Sequence, residues 1–86
     1  MLKQHILSSI KALKVALRAG GAALGEVVSW FSPRTGIWIR YNSIKLADFL
    51  DTTVTWTENA LASGIQKLGA PPDVAKEIAK FLVSLL

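Results

Sequence analysis

The sequence contains no cysteine, a single histidine, and six acidic residues against ten basic ones. Without cysteine there is neither a disulfide nor a thiolate metal site to staple the chain. His5, with no second histidine and no cysteine, cannot build a zinc site of ordinary composition and reads as a surface or boundary residue. Long apolar runs are missing as well. Uncharged stretches such as 19–25 and 27–33 fall far short of the about 20 apolar residues of a helical membrane span. Lys11, Lys14 and Arg18 interrupt the apolar residues near the start before a secretory signal core could form. No internal repeat, low-complexity tract or long linker divides the 86 residues, so a single domain over 1–86 is expected.

What is present is a chain 51% apolar and 19% charged, with three tryptophans. That is too apolar for disorder, yet a chain this short buries only about 60–65% of the surface its unfolded form exposes. The net charge of +4 is unevenly placed. Lys3, Lys11, Lys14 and Arg18 stand in residues 1–19 with no acid among them, while the later cations and acids nearly balance. A cationic excess confined to one segment points to an anionic partner: lipid headgroups, nucleic acid or an acidic protein face.

The same segment has the clearest periodicity. At 100° per residue, Leu2, Ile6, Ile10, Leu13 and Leu17 fall within about 80° of arc, and Lys3, Lys14, Arg18 and Lys11 follow beside them. This predicts a basic amphipathic helix over about 2–19, stopped or hinged by Gly20 and Gly21. A shorter helix over 22–31 follows, then a turn over 32–36 marked by Pro33 and Gly36. In residues 37–41, Ile37, Ile39 and Tyr41 alternate with Trp38 and Arg40, a strand-like pattern that 53–57 repeats. The two runs could pair as a small ribbon, but two short strands are marginal alone, and the apolar steps from Ile44 to Leu68 favour helix from about 43 onward. Thr55 and Glu58 fit a capping box that would restart that helix. Gly69 closes it, and Pro72 followed by Asp73 opens a last helix with Val74, Ile78, Phe81, Leu82 and Leu85 on one face. The fold expected is all-α: one compact bundle of about four or five short helices, with a short irregular or strand-like segment near 37–41.

Catalytic chemistry finds little support. Asp48 and Asp51 are spaced to share a helix face, as an acid–base pair requires, but no nucleophile or second base accompanies them. Ser8, Ser9, Ser43 and Ser63 lack a partner histidine, and the glycines of 20–25 follow a helix where a phosphate loop follows a strand. No enzyme, cofactor, metal or small-molecule substrate is expected.

Three binding classes remain. In the first, the protein binds and perturbs anionic membranes. Lys3, Lys11, Lys14 and Arg18 attract the surface, Leu2, Ile6, Ile10, Leu13 and Leu17 insert, and Trp30, Trp38 and Trp56 anchor at the headgroup level. In composition and amphipathicity the chain resembles small cationic helical bacteriocins, which implies a membrane-perturbing, antimicrobial action. In the second, the chain is a self-assembling subunit of a coat or filament, with Phe81, Leu82, Leu85 and Leu86 as the self-association face and the basic helix turned toward nucleic acid. In the third, Arg34 and Arg40 contact nucleic acid beside Trp38, Tyr41 and Lys45. The plainer account of those residues is aromatics plugging a bundle end with arginines extending past them. The membrane reading gathers the most features.

Overall fold

The computed structural model describes residues 2–86, with side chains described from Ile10 onward. The described residues form six helices, more than the four or five expected: α1 (Leu2–Ala19), α2 (Gly21–Val28), α3 (Pro33–Tyr41), α4 (Ser43–Thr52), α5 (Glu58–Lys67) and α6 (Pro72–Ser84). No strand occurs among the described residues.

α1 ends where the periodicity ends. Gly20 takes φ 72 and ψ −158, a backbone region that only glycine occupies readily, and Gly21 follows at φ 55. The chain thereby reverses between α1 and α2 with no connecting loop, and α1 packs on both α2 and α4. α2 is shorter than the expected 22–31 helix. It stops at Val28, where the Ser29 hydroxyl donates to the Glu26 carbonyl at 2.6 Å.

The segment read as a turn followed by a short irregular or strand-like stretch is a helix. Ser32 is the N-cap of α3, its hydroxyl accepting from the Thr35 N–H, and Pro33 takes the first helical position, where its missing N–H costs nothing. Thr35, Gly36 and Ile39 are the buried positions, a helical spacing that overrides the alternation of 37–41. Gly36 permits a close approach. A Cβ there would lie 2.8 Å from Cγ1 of Val28, so only glycine lets α3 sit this near α2.

Asn42 separates α3 from α4. Its N–H and its side-chain amide both bond to the Trp38 carbonyl, at 3.0 and 2.9 Å, which fixes the bend. Residues 53–57 then form neither helix nor strand, with Thr53 and Thr57 extended, and are rich in the β-branched residues that lose side-chain freedom in a helix. The restart falls two residues later than the capping box proposed at Thr55. Thr57 is the N-cap, accepting from the Ala60 N–H at 3.3 Å, and Glu58 lies in the first turn. α6 begins at Pro72 as expected.

The core is built from one face of every helix. Leu13 and Leu17 of α1 belong to one cluster with Leu24, Val27, Ile39, Leu46, Ala47 and Leu50, and Leu61, Ile65, Val74, Ala75, Ile78, Ala79 and Leu82 of the closely packed α5 and α6 complete it.

Candidate functional site

The described part of the expected lipid-inserting stripe of α1 is turned to the protein's own interior. Leu17 is fully buried, Leu13 nearly so and Ile10 partly. Leu2, Lys3 and Ile6 lie outside the residues whose side chains are described. Of the cations, Lys11 is exposed and forms no ion pair with another described residue. Lys14 Nζ lies 2.9 Å from Asp51 Oδ1, and Arg18 Nη2 lies 2.9 Å from Asp48 Oδ1 while also contacting Asp51. The two carboxylates weighed above as an acid–base pair thus serve as partners for Arg18. The hydrogen bond from Lys14, reinforced by the charges of Lys14 and Arg18, holds the Asp51 carboxyl below its ordinary value against an opposing desolvation. The spacing was a usable signal: cations four apart on α1 match acids three apart on α4, each pair sharing one helix face.

The tryptophans are presented unequally. Trp30 is half exposed, its ring centroid 5.6 Å from that of Phe81, while Trp38 and Trp56 pack partly against the core. Phe81 also meets Phe31 edge-on at 5.0 Å. Of the residues expected to carry self-association, Leu82 is therefore core, Phe81 packs against Trp30 and Phe31, Leu85 is partly covered and Leu86 stays outside. Arg34 pairs with Asp73 at 2.9 Å, and Arg40 is exposed.

Two features were not anticipated from the sequence. Glu77 of α6 caps the start of α3. It accepts from the Ser32 N–H at 2.9 Å, the Ser32 hydroxyl at 2.8 Å and the buried Thr35 hydroxyl at 2.6 Å, which holds its carboxyl below the ordinary range. An apolar groove of about 650 Å³ runs between α1, α2 and the end of α6, walled by Ala16, Ala23, Val27, Trp30, Phe81 and Leu85, with Glu26 among its lining.

A third feature lies where α3 meets α4. Ile37, Tyr41 and Ile44 stand 60%, 82% and 52% exposed, with Arg40 and Lys45 exposed among them. The alternation in 37–41 hid this surface, because a strand reading places Ile37, Ile39 and Tyr41 on one face together. In the helix Ile39 turns inward and the other two outward.

Among the described residues no three His, Cys, Asp or Glu side chains are grouped to hold a metal ion, and no helix is long and apolar enough to cross a membrane. The chain belongs to the family described as "Uncharacterised protein YqxI", whose model matches residues 2–86. No curated protein and no solved structure matches it.

Proposed function

We propose that this member of the YqxI family is a non-catalytic protein that binds and perturbs anionic membranes, with α1 as the element that is released onto the lipid. The observation that carries the reading is the way α1 is held. Of its described cations, Lys11 forms no ion pair among the described residues and Lys14 and Arg18 are tied by ion pairs at the surface, and its far end turns on two glycines at positive φ with open space around them. Exposed ion pairs are the weak and salt-sensitive kind. An anionic leaflet offers the same cations phosphate partners, at about 1 kcal/mol for each Lys or Arg near the surface. Leu13 and Leu17 leave a core for an acyl layer, so their apolar burial is exchanged and not lost. The Gly20–Gly21 joint supplies the rotation. Trp30 already lies half exposed, where an indole ring suits the headgroup boundary.

Flotation of the purified chain with phosphatidylglycerol vesicles, with phosphatidylcholine vesicles and protein alone as controls, tests this reading. The chain rises with the anionic vesicles and is released by salt, and a Lys11→Glu/Lys14→Glu variant rises much less while keeping its helical circular dichroism. Equal flotation of wild type and variant removes the electrostatic role of α1, and a chain that stays at the bottom with every vesicle removes the reading.

A further inference from the structure

We infer that the α3–α4 corner is a lipid-docking surface, in which Ile37, Tyr41 and Ile44 enter the headgroup layer of an anionic bilayer while Arg40 and Lys45 meet its phosphates. The inference rests on the membrane reading above and adds the surface that touches lipid while α1 is still packed in the bundle.

The exposure of these three residues is built in. Ile37 and Tyr41 are four apart on one face of α3, and Ile44 is the second residue of α4, just past the bend that the Asn42 side chain ties to the Trp38 carbonyl. The opposite faces are already committed, with Ile39, Leu46 and Ala47 fully covered and Trp38 packed against them. No rotation of either helix hides the corner without drawing those residues out. Three large apolar side chains held outward on a rigid bend are a surface in search of an apolar layer.

The charges around the corner decide which one. Arg34 is paired with Asp73 and Asp48 with Arg18, whereas Arg40 and Lys45 form no ion pair among the described residues. Lys45 shares a shallow cleft with Lys67 and Asp48, which adds a further cation at the edge. The corner therefore offers three exposed apolar side chains interleaved along the chain with two cations unpaired among the described residues, a composition that suits acyl chains below a layer of phosphates. A second copy fits poorly. In a two-fold contact the patch meets itself, and Arg40 and Lys45 would face cations with no unpaired carboxylate to receive them. Nucleic acid uses stacking faces, and here only Tyr41 offers one, since Ile37 and Ile44 are aliphatic and Trp38 is turned to the core.

Because the chain has no cysteine, a Tyr41→Cys variant carries one environment-sensitive fluorophore at the corner, and a Ser63→Cys variant carries it at an exposed position of α5. With phosphatidylglycerol vesicles the corner label shifts to the blue and the α5 label does not. Arg40→Gln/Lys45→Gln weakens vesicle binding about thirty-fold, the loss of two surface cations, and more than Lys76→Gln/Lys80→Gln, which removes the same charge from α6. An Ile37→Ser/Tyr41→Ser/Ile44→Ser variant keeps its circular dichroism and floats poorly. If wild type floats but the label at 41 stays in water and both corner variants float as wild type, the corner is not the docking surface and the membrane reading survives without it. If wild type ignores vesicles, both readings fall. If it instead retains duplex DNA, with retention lost in Arg40→Gln/Lys45→Gln, the corner is a nucleic-acid surface and the lipid assignment is overturned.

Discussion

Thr35 is the one buried polar side chain among the described residues, and its hydroxyl donates to Glu77. A hydroxyl in an apolar interior is costly unless bonded. Here it donates at 2.6 Å to a carboxylate that also receives the Ser32 N–H at the start of α3, where a negative charge suits the helix dipole. Replacing Thr35 with the isosteric Val removes the donor and keeps the packing. The expected cost is about 1 kcal/mol, a fall in Tm of roughly 4–8 °C by circular dichroism; an unchanged Tm means that Ser32 alone suffices. Acid tests the same contact. The hydrogen bond from Thr35, then those from Ser32, lower the folded pKa of Glu77 against desolvation, so the folded chain binds fewer protons than the unfolded one as pH falls. The contribution is complete above the ordinary glutamate value of 4.5 and is lost as pH drops through the lower folded value. Melts taken from pH 7 down to pH 3 show wild type losing Tm below pH 4.5, and Glu77→Gln losing less over that interval while starting lower.

At the scale of the element, the joint between α1 and α2 carries the most meaning. A helix of 18 residues and one of 8 meet at Gly20 with no linker, and the dihedral angles at Gly20 are all but closed to other residues. Alanine meets no steric obstacle there, since nothing lies within 4 Å of its Cβ. Its effect is purely conformational: Gly20→Ala costs about 1–3 kcal/mol, and alanine's helix propensity favours running α1 straight into α2. The variant is expected to keep its far-ultraviolet helicity and lose thermal stability. An unaltered Tm would show that the joint relaxes freely to another conformation. α3 shows how an element escapes its local pattern. Five alternating residues suit a strand, but the Ser32 cap, Pro33 at the first position and the inward-facing Thr35, Gly36 and Ile39 together make a helix.

Across the whole molecule, the pairing of Lys14 and Arg18 with Asp48 and Asp51 joins residues 30 or more positions apart and ties α1 to α4 at the surface. If release of α1 is part of lipid binding, cutting this tie favours it. An Asp48→Asn/Asp51→Asn variant binds phosphatidylglycerol vesicles more tightly than Glu26→Gln/Glu58→Gln, which removes two acids with no described cation partner. Vesicle titrations of the two variants check this at equal net charge. Equal affinities would show that only total charge matters and that α1 does not need to leave α4.

The sequence by itself determined the helices whose signals are local. α1 and α6 follow from apolar spacing bounded by Gly20 in one case and by Pro72 and Asp73 in the other, and the cationic excess of residues 1–19 is plain in the composition. These signals act within a turn or two of helix and need no knowledge of what lies opposite. Only the tertiary structure decided that Leu13 and Leu17 face inward, that Arg18 reaches two carboxylates of α4, that Glu77 caps α3 and that Ile37, Tyr41 and Ile44 remain outside. The reason is one of surface and volume. A chain of 86 residues that is 51% apolar holds more apolar side chains than so small an interior can cover. Which of them stay in contact with water is settled by the competition among six helix faces for one core, and no single stretch of sequence records the result.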